Sequence, residues 1–78
     1  MDTYQVAQRA LADLKAAVLA ELRASHTPLT NAELGRKLGI YMGHVGHEGH
    51  LSRTVLSLLE AEGLATQAPD RGPWTAVN

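Results

Sequence analysis

The chain has 78 residues, a formal net charge of −1 and no cysteine. That length predicts one domain with a marginal core, which association with a second copy would help. The missing cysteines exclude disulfides and thiolate metal sites, and the near-neutral charge excludes a surface that attracts nucleic acid all over.

The charge is uneven, however. Between Leu34 and Ser57, Arg36, Lys37 and Arg53 stand against Glu48 alone, with three histidines besides, so the middle of the chain is a local basic zone. Acidic Asp2 and the lack of an apolar leader core or of any run of spanning length make the cytoplasm the expected location, with no membrane partner.

Residues 4–25 read as one long helix. Tyr4, Ala7, Leu11, Leu14, Val18 and Leu22 recur at three- and four-residue steps on one face, while Ala12, Ala16 and Ala20 make the far side smooth. A helix of roughly 20 residues is about 30 Å long, more than a domain this small needs to cover its core. The surplus turns are expected to pack on the same helix of a second copy. A plainer alternative leaves them lying across their own domain.

Pro28 pushes the residue before it out of helical geometry and ends this segment, and Leu29 is placed for a very short strand. The next helix starts at Thr30, because Thr30 and Glu33 have the spacing of a capping box. Ala32, Leu34 and Leu38 supply its buried stripe, and Gly39 is its stop.

In Tyr41–Gly49, Gly43, Gly46 and Gly49 directly precede His44, His47 and His50. Three glycines in seven residues predict a loop or a distorted first turn. Imidazoles at this density are nitrogen donors of the kind found around zinc, copper and nickel, with Glu48 or His26 available to complete a shell. Against that, a three-residue period through glycines is no metal signature, and structural zinc sites without cysteine are the less usual kind. The expectation is therefore no metal. Two other readings stand: the histidines donate to phosphates where glycines let the backbone come close, or the loop packs over the core through Tyr41, Met42 and Val45.

From His50 the pattern is helical again. Leu51, Val55, Leu58 and Leu59 are expected inside, and His50, Arg53, Ser57 and Glu60 outside, with Thr54 at the border. Gly63 closes this helix. Leu64–Ala68 and Pro73–Val77 can then pair across PDRG, whose residues favour a turn. Trp74 is expected to bury one edge on the helices, and Arg71 sits at the tip.

The runs TNAELGRKLGI, LSRTVLSLLEAEGLAT and RGPWTAV resemble the winged helix-turn-helix domains of bacterial regulators of the MarR and ArsR type. The resemblance covers about Leu29–Val77. It implies an α+β, mainly α fold with three helices and a two- or three-stranded β wing. In that arrangement 4–25 is the scaffold and dimerisation helix, 30–62 the helix-turn-helix and 64–78 the wing.

The resemblance further implies a homodimeric regulator of transcription that binds double-stranded DNA, with the third helix in the major groove. Arg53, whose fork matches guanine O6 and N7, is then the expected base contact. His50, Ser52, Thr54 and Ser57 flank it. Arg36, Lys37, Arg71, His44 and His47 are positioning contacts to phosphates.

An enzyme is not expected. Ser52, Glu48, Asp70 and the histidines fall in no nucleophile or acid–base spacing, and a chain this short has little room for a cleft. No cofactor is implied. The competing reading is a domain of the same fold that binds protein, since fold does not dictate function; acidic Glu60 and Glu62 favour it.

Overall fold

The long first helix starts where a side chain can replace the missing backbone acceptors. Asp2 caps it: its carboxylate accepts from the Gln5 N–H at 2.8 Å, and the Gln5 side chain accepts from the Asp2 N–H at 3.2 Å. In the structure, a computed structural model that describes residues 2–43 and 45–77, helix α1 then runs over Thr3–Ala24.

Two shorter helices follow, α2 over Asn31–Lys37 and α3 over His50–Ala61, and then strands β1 over Ala65–Gln67 and β2 over Trp74–Ala76. The expected box at Thr30 is present. The Glu33 N–H donates to the Thr30 hydroxyl at 3.1 Å, and the Thr30 N–H donates to the Glu33 carboxylate at 2.9 Å. The Thr30 backbone N–H first, and its hydroxyl second, hold the Glu33 carboxyl below its ordinary pKa of 4.5.

The strands form an antiparallel pair with Ala65 opposite Ala76 and Gln67 opposite Trp74. On its other edge Trp74 makes an isolated bridge with Leu29, in which the Leu29 N–H donates to the Trp74 carbonyl at 3.0 Å and the Trp74 N–H returns the bond at 2.7 Å. The stretch between α1 and α2 is thus stitched to the C-terminal hairpin. The architecture is α+β, mainly α, with three helices and a two-stranded antiparallel sheet among the described residues.

The core gathers Val18 and Leu22 of α1, Leu34 of α2, Val55, Leu56 and Leu59 of α3, and Leu29, Ala65 and Trp74 from the sheet side. Each large apolar side chain of this set contributes roughly 1.5–3 kcal/mol on burial. The apolar stripe of α1 joins this core only in its second half. Residues 2–10 are all exposed, and Tyr4 keeps 72% of its surface in water.

Helix α3 corrects the expected inner face. Leu51 and Leu58 are exposed, and their places are taken by Ser52 and Leu56, both wholly buried. The cause is a small polar cluster. The Ser52 hydroxyl donates to Asn31 Oδ1 at 2.7 Å and lies 3.2 Å from the Gly49 carbonyl, which also accepts from Asn31 Nδ2 at 3.0 Å. A satisfied hydroxyl can be buried at little cost. Placing it inward turns the buried face by about 65°, which keeps Val55 and Leu59 inside, brings Leu56 in and carries Leu58 out.

Candidate nucleic-acid interface

The buried rotation of α3 decides which side chains it offers to solvent. His50, Arg53, Thr54 and Ser57 are exposed. Ser52, expected among the DNA contacts, is not: its hydroxyl is committed to Asn31 and Gly49 in the interior. It fixes the start of α3 against α2 and does not face solvent.

Between α3 and the hairpin lies a cleft of about 370 Å³, with Arg53, Ser57 and Glu60 on the helix side, Gln67, Arg71 and Gly72 on the hairpin side, and Asn31 and Trp74 also lining it. Two arginines 18 positions apart in the sequence thus converge on one polar cleft. Guanidinium groups held in this way can meet phosphate oxygens or base edges with paired donors. Glu60 is the one acidic side chain among the lining residues, and it opposes an anionic ligand at that end.

The hairpin tip is built to hold Arg71 in place. The Ala68 N–H donates to the Pro73 carbonyl at 2.9 Å, the Gly72 N–H to the Ala68 carbonyl at 3.1 Å, and the Gln67 side-chain amide to the Gly72 carbonyl at 3.1 Å. Within this turn Asp70 and Arg71 adopt φ of 60° and 57°. Aspartate tolerates that left-handed geometry through local hydrogen bonding, whereas arginine gains nothing from it and costs about 1–2 kcal/mol relative to glycine. Strain of this kind concentrates where a side chain is needed for use.

The remaining expected contacts stand apart from this cleft. The Arg36 guanidinium lies 4.7 Å from the centre of the Tyr41 ring, and Lys37 pairs with Glu21 at 3.7 Å. Both are exposed, and neither lines the cleft. An exposed pair such as Lys37–Glu21 is worth about 0–1 kcal/mol, so Lys37 stays available to a polyanion. His47 and His50 are exposed and border a different hollow; His44 lies outside the described residues. Tyr41 is half-buried, but Met42 and Val45 are exposed, so the loop does not pack over the core through those two apolar residues.

Sequence reasoning missed Asn31 and Gln67. Asn31 carries a local signal, being the first residue after a capping threonine, but its partners Gly49 and Ser52 are 18 and 21 positions away. Gln67 is distinguished only by the hairpin register.

No described helix is long and apolar enough to cross a membrane. No family model matches the chain, and no curated protein or solved structure shows a significant match to it.

Proposed function

We propose that this protein is a small winged-helix regulator of transcription that binds double-stranded DNA through α3, in the manner of the MarR- and ArsR-type domains it resembles. The observation that carries the reading is the convergence of Arg53 and Arg71, from a helix and from a hairpin tip, on one polar cleft. The isolated bridge between Leu29 and Trp74 supports it, because it ties the segment between α1 and α2 to the free edge of the two-stranded hairpin.

An exposed helix face fits the major groove, and a cationic tip beside it meets the sugar–phosphate backbone. Arg53 is assigned the base contact, with His50, Thr54 and Ser57 around it. Arg71, Arg36 and Lys37 supply sequence-independent attraction.

The test is fluorescence anisotropy with a random-sequence duplex at two salt concentrations. Binding should weaken steeply with salt. Arg53→Ala should lower affinity for a duplex that the wild type selects from random sequence by about tenfold to a hundredfold, the worth of roughly 1–3 kcal/mol, and affinity for the unselected duplex far less. Arg71→Gly separates strain from use: it should stabilise the fold by about 1 kcal/mol while lowering the salt slope by about one. Absence of binding by the wild type at low salt would sink the DNA reading and leave a winged-helix module that binds protein, a role that Glu60 at the cleft favours.

The same reading takes the protein as a homodimer through the first turns of α1. Eight residues of helix without tertiary cover, 3–10, are marginal in water, yet these carry Tyr4 and Val6, 72% and 53% exposed, with Ala7 and Ala10 beside them. A second copy of the same helix offers a matching surface. Sedimentation equilibrium should show a dimer for the wild type and a monomer for Tyr4→Glu; a monomeric wild type at micromolar concentration would refute the dimer.

A further inference from the structure

The glycine–histidine segment forms a hollow of its own, separate from the cleft. Met42, Gly43, His47 and His50 line an open pocket of about 410 Å³, and none of the four lines the cleft between α3 and the hairpin.

The main chain imposes this grouping. The Gly49 N–H donates to the Met42 carbonyl at 3.3 Å, which folds the loop back on itself. At Gly43, with φ of 141°, a Cβ would lie only 2.6 Å from the His47 carbonyl oxygen. The backbone beside Met42 is therefore packed directly on that of His47, and His50 follows as the first residue of α3.

The His47 and His50 rings have centroids 6.0 Å apart, with planes inclined at 47°. An ion bound through one nitrogen of each ring at about 2.0–2.1 Å lies roughly 3.2 Å from each centroid, so two imidazoles on one ion have centroids about 5–6 Å apart. The two rings thus stand at the spacing of a shared ion, needing a closure of under about 1 Å to reach tetrahedral angles.

The third side chain on the pocket decides the metal. Two imidazoles and a thioether are neutral donors, with no carboxylate or thiolate among the lining residues. Neutral ligands compensate little of a divalent charge, and thioether sulfur selects soft ions such as Cu(I) over zinc, magnesium or calcium. Met42 is 53% exposed, which leaves an entry path for the ion.

We propose that Met42, His47 and His50 form a binding site for Cu(I). The site does not depend on the DNA reading, and its test makes no use of DNA. Under anaerobic reducing conditions the full chain is titrated into the Cu(I)–bicinchoninate complex, and loss of the visible absorbance reports transfer of the ion. The wild type should remove one Cu(I) per chain.

Met42→Leu and His50→Gln should each weaken transfer by about tenfold or more, with far-UV circular dichroism establishing that both variants are folded. Zinc affinity, measured by competition with a zinc dye, should change in His50→Gln and not in Met42→Leu. Retention of all Cu(I) by the chelator against the wild type would overturn the proposal. So would transfer to both variants at wild-type strength.

Discussion

Gly49→Ala is expected to lower the stability of the protein by about 2–5 kcal/mol, whereas Gly46→Ala, in the same loop, costs about 1–2 kcal/mol. Both glycines have left-handed backbones, φ of 88° and 83° respectively, so both variants bear the same conformational penalty. They differ in what surrounds them. A Cβ at Gly46 would meet nothing within 4 Å. At Gly49 it would stand 2.7 Å from Asn31 Nδ2 and 2.8 Å from the Tyr41 ring.

That contact displaces the amide which donates to the Gly49 carbonyl, and with it the acceptor of the buried Ser52 hydroxyl. Ser52 keeps only its 3.2 Å bond to the Gly49 carbonyl, and the two Asn31 hydrogen bonds lost, each worth about 0.5–1.5 kcal/mol, cost a further 1–3 kcal/mol or so. Because Gly49 also caps α3, the damage reaches the helix that carries Arg53. Urea unfolding of the two variants side by side checks the difference. Equal midpoints would mean that the Asn31–Ser52–Gly49 cluster does not constrain the start of α3.

Trp74→Ala should remove about 3–5 kcal/mol, a large part of the roughly 4–12 kcal/mol expected of a domain this size. Trp74 is 3% exposed and lies in the core. It sits in the strand that touches both Gln67 and Leu29, so its ring fills the space where the hairpin meets the helices.

Thermal unfolding should lose its cooperative transition near ambient temperature, with the hairpin undocked and Arg71 no longer fixed beside Arg53. A melt within a few degrees of the wild type would show that the backbone pairing with Leu29 alone holds the hairpin.

Most of the helical frame was legible in the sequence because its signals are local. Thr30 and Glu33 cap each other within one turn, Pro28 stops α1, Gly63 turns at φ of 76° after α3, and the PDRG run bends the hairpin. The box at Asp2 and Gln5 is just as local, but it was hidden in a region read only for its apolar stripe.

The rotation of α3 was not legible. Serine counts as polar in any periodicity, and Ser52 turns inward because Asn31, 21 positions earlier, and the Gly49 carbonyl accept hydrogen bonds from its hydroxyl. Arg53 and Arg71 were both singled out, one for its helix face and one for its place at a turn. Their meeting in one cleft depends on how the hairpin docks, which no spacing encodes. The left-handed backbone at Arg71 had no signal at all, since arginine has no preference for it.

The chain's single tryptophan is the residue that joins Leu29 to the hairpin, and this gives the fold an intrinsic optical reporter. Its emission follows docking of the hairpin, while far-UV ellipticity is dominated by α1, the longest helix. If the two signals change together in denaturant, the domain opens as one unit. If ellipticity outlasts the shift in emission, the capped first helix survives as a separate element after the β strands have left it.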